Sequence, residues 1–446
     1  MLRPIVASKW IVFREPKGAY LREKYSGSPK LTGEIWDLTE LAYVTLKMCD
    51  GTKNVREILE EVSKLVGNNI PMLESAGAFI VGAVEKGILV NNNSYEGYHF
   101  PEHGSAIRYF PMHLAIELTD KCNLRCGHCY RDSGPNLGSF LPKKRLLSIL
   151  SEAYDYGVQS IELSGGEPTI HPDIDAMLDF TLQNFGAVAL LTNGTRITDS
   201  ICDLLVSYNE RSFVQIDLDG PTALEHDSLR GIPGSFEKAV CAIARLSKNG
   251  VRVRVAMSLH RGNVDTIEQT YELACNLGAH LFLCSPVMAI GRATEEMVLP
   301  WDDLKRSSEL LEKLADKDPK RVLKASELKR LSGKLGANCG AGSRSITIGP
   351  DGDIRPCFLV NKKSHRYKNI IAESLSNALA GAPLEFFRTL EPPSLEICLD
   401  CQFNAYCFGC IARPLLAWDR AKKSGLKIEC LWDRETGFSE ELGFSM

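Results

Sequence analysis

The run Cys122-Asn123-Leu124-Arg125-Cys126-Gly127-His128-Cys129 sets three thiols in one short segment, three residues apart and then two. A single loop with this spacing can wrap three corners of a four-iron cube, which leaves one iron without a protein ligand and open to a small molecule. The alternatives are a zinc site, which wants four ligands and usually two Cys-x2-Cys hairpins, and a redox disulfide. A second cysteine constellation closes the chain: Cys339, Cys357, Cys398, Cys401, Cys407, Cys410 and Cys430. Its two Cys-x2-Cys pairs can also form a zinc-ribbon-like site by themselves. Cys49, Cys202, Cys241, Cys275 and Cys284 fall outside both groups; most are expected to pack as small apolar residues, with Cys284, at a strand end, the one to test as a stray ligand or substrate contact.

These residues need elements to hold them. The chain has 446 residues and a 44% apolar share, enough for two or three separate cores. From Trp10 to about Val90, short extended segments precede helices expected at Val55 to Leu65 and at Met72 to Lys86, the latter stopped by Gly87. A polar, turn-rich stretch from Asn91 to Ser105 reads as a linker. Beyond it, strands are predicted at His113 to Leu118, Ser160 to Leu163, Val188 to Thr192, Phe213 to Leu218, Val251 to Leu259 and His280 to Cys284. Amphipathic helices alternate with them at Lys144 to Tyr156, Ile174 to Asn184, Ser200 to Tyr208, Phe236 to Asn249 and Val264 to Leu277. Six βα units imply an α/β fold with a parallel sheet curved into a barrel or partial barrel, whose reactive groups sit on loops after the strands. The cysteine loop follows the first strand, as that rule requires.

Net charge is only −4 with no long run of one sign, and Met1 to Phe100 balances acidic against basic residues, so nucleic acid and anionic membranes are not expected partners. No apolar run approaches membrane-spanning length, and the N-terminus lacks the features of an export signal. Fifteen cysteines in such a chain read as ligands and reduced thiols, and the cytoplasm is the expected compartment.

The triad, with Gly165-Gly166-Glu167-Pro168 one βα unit later, resembles the radical SAM superfamily. The resemblance implies a partial (β/α)6 TIM-type barrel whose open iron chelates S-adenosylmethionine (SAM) and donates an electron, releasing a 5'-deoxyadenosyl radical. It implies cofactor contacts through the backbone of Gly165, Gly166, Glu167 and Pro168 for the methionyl amino group, Asn193 and Asp217 near the ribose, and Arg230 for the methionyl carboxylate; strand-end residues of these types also serve as turns and caps. His128 is expected to pack rather than ligate, and no catalytic residue is assigned beyond the cluster ligands.

The C-terminal cysteines, with Gly352-Asp353-Ile354-Arg355-Pro356-Cys357 read as a turn leading into a ligand, resemble the SPASM extension of radical SAM peptide-modifying enzymes. That resemblance implies two auxiliary 4Fe-4S clusters and so three in all. Cys339, Cys357 and Cys410 would serve the first, and Cys398, Cys401, Cys407 and Cys430 the second. Cys407 and Cys410 are two residues apart where the family usually has three, and the first auxiliary cluster is one ligand short. An iron left open there would hold a substrate thiol.

Trp36 to Leu41, Asp50 to Val55 and Gly87 to Val90 resemble the winged-helix-like PqqD recognition module, which takes up leader peptides. The implied organisation is a recognition domain and linker over 1–105, the barrel over 106–325 and a cysteine-rich SPASM domain over 326–446. Ile290-Gly291-Arg292-Ala293 and Asn338 to Ser345 are similar to thioether-forming maturases of the sactipeptide or ranthipeptide type. The implied activity joins cysteine sulfur to carbon in a ribosomally made precursor peptide, with a flavodoxin or ferredoxin supplying electrons. Carbon–carbon crosslinking, formylglycine formation, a non-peptide metabolite, and an iron–sulfur regulator with a winged domain are the other readings.

Overall fold

The computed structural model describes residues 2–23, 35–67, 69–94, 96–136, 138–322, 340–360, 368–380, 384–389, 410, 412 and 430. They fall into two compact units, one reaching to Phe110 and one starting at Pro111. Among them, no helix is long and apolar enough to cross a membrane.

The first unit contains β1 (Pro4–Val6), β2 (Trp10–Glu15), β3 (Gly18–Glu23), β4 (Ile35–Leu38), α1 (Glu40–Lys47), α2 (Val55–Val66), α3 (Ile70–Glu85), β5 (Leu89–Asn91) and β6 (Glu102–Gly104). One sheet runs β4-β3-β2-β6, and β1 pairs with β5. A capping box starts α2: the Asn54 side chain accepts from the Glu57 amide while Glu57 reaches back to the Asn54 amide. Ile58 and Val62 of that helix pack with Trp10, Leu21, Leu46 and Ile80 in the unit's core. Helix α3 begins earlier than apolar spacing predicts, because Asn69 caps it and Pro71 sits in its first turn, where a missing amide costs nothing.

The second unit is the barrel. Strands β7 (His113–Glu117), β8 (Ser160–Ser164), β9 (Ala187–Thr192), β10 (Ser212–Asp217), β11 (Val253–Leu259) and β12 (Leu281–Pro286) lie parallel in sequential order. The helices between them are α4 (Lys143–Asp155), α5 (Ile174–Asn184), α6 (Asp199–Ser207), α7 (Ala223–Arg230), α8 (Ser235–Lys248) and α9 (Ile267–Asn276), with α10 (Trp301–Lys317) after the last strand. The six strands and five helices expected from sequence stand within a few residues of these bounds. Helix α7 escapes the apolar pattern because it is short and polar, burying His226, Leu229 and Arg230.

The sheet does not end at the first barrel strand. Strand β13 (Ser345–Ile348) adds to β7 in parallel, and β14 (Ile354–Arg355) returns antiparallel to it. Their turn is closed by the Gly352 amide on the Gly349 carbonyl at 2.9 Å. The hairpin therefore delivers Cys357, two residues past β14, to the rim of the barrel beside the first strand. Two short helices follow, α11 (Leu375–Leu379) and α12 (Leu384–Thr389).

Candidate active site

Successive strand residues face opposite sides, so alternate positions of β7, β8, β10 and β11 point inward. Closed barrel interiors are ordinarily filled by Val, Ile and Leu. Here Glu117, Glu162, Ser164, Gln215, Asp217 and Arg254 instead line an open cavity of about 520 Å3. Cys122, Cys126 and Cys129 line the same cavity, as do Gly165, Gly166, Asn193 and Arg230.

Cys122 and Cys126 are buried and pack with Leu124 and Cys129. Each sulfur meets a nitrogen donor. The Leu124 amide donates to Cys122 Sγ and the Ser133 amide to Cys129 Sγ, both at 3.4 Å. Asn193 Nδ2 donates to Cys122 Sγ and Arg230 Nη1 to Cys126 Sγ, both at 3.8 Å. Burial pushes the Cys122 thiol up to about 12 and raises that of Cys126, against the pull of Arg230. Ligation of iron must therefore displace protons, and the donors then serve the thiolates. Three sulfurs lining one cavity, two of them buried and each supplied with an N–H, fit an anionic iron–sulfur cube.

The loop is braced from both sides. The Arg125 amide donates to the Arg230 carbonyl at 3.2 Å and the Gly127 amide to that of Leu229 at 2.8 Å. Arg292 Nε donates to the Cys126 carbonyl at 2.8 Å and Arg292 Nη1 pairs with Asp132 at 2.7 Å, which gives the Ile290 to Ala293 motif a concrete task. His128 also lines the cavity, and its buried Nδ1 has no hydrogen-bond partner among the described residues. Burial brings its pKa down to about 4, so the ring is neutral.

Glu167 and Pro168 are not on the cavity wall, unlike the other residues expected to contact the cofactor. The Glu167 carboxylate is fully buried and accepts from Thr192 Oγ1 at 2.7 Å and the Asn193 amide at 2.7 Å, with Thr169 on the same oxygen as Thr192. It ties the turn after β8 to the end of β9 and so aims Asn193 into the cavity. Gly165 adopts φ +138°, and a Cβ there would lie 2.4 Å from the Thr119 carbonyl oxygen; at Gly166 it would lie 2.1 Å from that of Lys121. Gly166→Ala must therefore push the turn off the cysteine loop. We expect a loss of roughly 1–3 kcal/mol of stability, read as a lower unfolding midpoint, together with weaker SAM binding.

Arg230 already has protein partners at each of its nitrogens. Its Nε donates to Asp219 Oδ2 at 2.6 Å, its Nη2 lies 3.1 Å from Asp217 Oδ2, and Nη1 already faces Cys126. A methionyl carboxylate bound there would share this guanidinium with Asp217, the aspartate that remains partly open to the cavity, its side chain 30% exposed. Asp219, which the sequence reading did not single out, is fully buried and also accepts from the Ser258 amide at 2.9 Å. Burial opposes its charge, but Arg230 holds its carboxyl below the usual range.

Cys284 is not among the lining residues of the cavity, whereas its neighbours Leu283 and Ser285 are. The expectation that most outlying cysteines pack inside holds for Cys49 and Cys202, both buried, whereas Cys241 is exposed. Of the seven C-terminal cysteines, Cys339, Cys398, Cys401 and Cys407 lie outside the described residues.

Residues 116–274 match the family model described as Radical SAM superfamily, and residues 339–402 that of an iron-sulfur cluster-binding domain, SPASM. The antilisterial bacteriocin subtilosin biosynthesis protein AlbA of Bacillus subtilis is 30% identical over 441 residues, covering 96% of both chains. The chain belongs to the radical SAM superfamily. The mycofactocin maturase MftC of Mycolicibacterium smegmatis is 33% identical over 317 residues, 68% of this chain and 78% of that one. In fold, this radical SAM enzyme is similar to Streptococcus suis SuiB, solved bound to the precursor peptide SuiA, with a TM-score of 0.63, 18% identity and coverage of 93% and 96%. It binds SAM at a 4Fe-4S cluster and carries a SPASM domain for auxiliary iron–sulfur clusters. The barrel cysteines and their donors are the residues that could hold the first of these.

Proposed function

We propose that this enzyme closes thioether links between cysteine sulfur and carbon in a ribosomally made precursor peptide. One observation carries the reading. The cavity lined by Cys122, Cys126 and Cys129 is also lined by Phe358 and Leu359, the residues directly after Cys357. A peptide segment in that cavity would lie beside the first cysteine triad and next to the segment that carries Cys357. When bound, SAM and its cluster supply a radical able to take a hydrogen from such a segment.

The chain's own residues fix the rest. Cys122, Cys126 and Cys129 hold the first cluster, and Gly165, Gly166, Asn193 and Asp217 shape the cofactor's bed. Cys339, Cys357 and Cys410 hold one auxiliary cluster and Cys398, Cys401, Cys407 and Cys430 another, three clusters in all. Residues 1–105 receive the leader, for which β4 offers an edge to the sheet β4-β3-β2-β6. The precursor-bound SuiB and the bacteriocin biosynthesis role of AlbA support a peptide substrate. A flavodoxin or ferredoxin supplies the electron, and the cytoplasm is the compartment.

The test is anaerobic incubation of reconstituted enzyme with SAM, reductant and a cysteine-bearing precursor, read by mass spectrometry. Each link removes two hydrogens and one alkylatable thiol from the product. A product that loses the mass and keeps its thiols assigns a carbon–carbon crosslink instead.

A further inference from the structure

Glu117 ends the first barrel strand and is 1% exposed. A carboxylate so deep in the protein persists only with partners. It accepts from the Tyr130 hydroxyl at 3.2 Å, from Arg131 and from Arg355. Tyr130 and Arg131 directly follow Cys129, and Arg355 stands two residues before Cys357. Arg355 is itself fully buried and pairs with Asp353 at 2.9 Å. A second contact repeats the link: the Tyr130 ring lies 5.4 Å from that of Phe358, the residue after Cys357. Two separate joints thus fasten the cysteine loop of the barrel to the cysteine segment of the SPASM hairpin, and Glu117 is the centre of one.

We propose that Glu117 is a positioning residue shared by two iron–sulfur centres, fixing the Cys129 and Cys357 loops against each other and contributing to the electrostatic field at both. The second half follows from charge. Glu117 and Asp353 balance Arg131 and Arg355 in a buried group, where unscreened charges act over longer range than in water. Reducing a cluster adds negative charge, so removing a nearby carboxylate favours reduction and removing a nearby guanidinium opposes it. A group placed between two centres must act on both with the same sign. The proposal rests on the reading of Cys357 as an auxiliary-cluster ligand.

The experiment is a redox titration of the reconstituted holoenzyme followed by electron paramagnetic resonance. Cys357→Ala comes first and is expected to remove one auxiliary signal. If that signal stays, the ligand reading fails and the shared-residue proposal with it. With that reading in place, Glu117→Gln, which keeps the side chain's shape, is expected to raise the midpoint potentials of both the SAM-binding and the Cys357 cluster. Arg355→Gln is expected to lower both, and Glu117→Gln with Arg355→Gln to bring both back toward the parent values. A merely structural residue would not give opposite signs in the single variants and restoration in the double. Movement of one potential alone, or of neither, overturns the proposal. Where a single variant does not hold its clusters, the charge-balanced double variant must regain them; if it does not, the proposal is also overturned.

Discussion

Replacing Cys126 with alanine is expected to abolish 5'-deoxyadenosine release from SAM under anaerobic reduction. Losing an outer-shell partner of a bound metal ordinarily costs roughly 10–100-fold, and loss of one of only three protein ligands exceeds that. Cys126 is the middle ligand of the loop, buried, and held by Arg230 Nη1 at its sulfur and Arg292 Nε at its carbonyl. Its removal leaves a buried guanidinium without its thiolate and the cube with two protein corners. Chromatography of the released nucleoside and iron content per chain read the two consequences together. Cys241→Ala is the control, since that cysteine is exposed on α8 and should leave both measurements unchanged. Release that persists in Cys126→Ala would mean that the first cluster sits elsewhere.

The barrel and its cysteine loop were legible because both are local signals. Alternating apolar strands and amphipathic helices announce βα units within short windows, and the triad is complete inside one loop. The glycine pair after β8 was legible for a related reason: the close approach of Lys121 and Thr119 leaves no room for a Cβ, so the residue type records the contact. What spacing does not encode is which partner a polar residue chooses. Arg230 reads as a ligand for a carboxylate, and it has one already in Asp219, 11 positions away in sequence. Glu167 reads as part of a cofactor motif that acts through its backbone, and spacing gives no hint that its carboxylate braces the next strand through the Asn193 amide, 26 positions on. Glu117 carries no local mark at all, since its partner Arg355 is 238 residues distant and arrives only because β13 adds to the edge of β7. Helix α10 was different, for Leu304, Leu311 and Leu314 face inward at helical spacing and lay beyond the last unit that the alternation was followed through.

Asp219→Ala is expected to be the most damaging change outside the cysteines themselves. Truncating one partner of a buried pair leaves the other charge unpaired and costs about 3–5 kcal/mol. Asp219 is fully buried and its carboxylate takes both Arg230 Nε and the Ser258 amide, so the loss reaches α7 and β11 together. Arg230 would then keep only Asp217, which is partly open to the cavity, and its Nη1 would no longer be aimed at Cys126. Chemical denaturation should show the stability loss, and iron content the weakened cluster. Asp219→Asn retains the shape and separates charge from packing. Because the folded-state pKa of Asp219 lies below its unfolded value, the pair contributes stability above the ordinary aspartate pKa of about 3.9 and loses it as pH falls through the folded value. The stability gap between the parent enzyme and Asp219→Asn should therefore be widest near neutral pH and close progressively in acid below that range. A gap that stays constant down to the acid limit would show that Asp219 acts by filling space, and that Arg230 finds its charge partner in Asp217 alone.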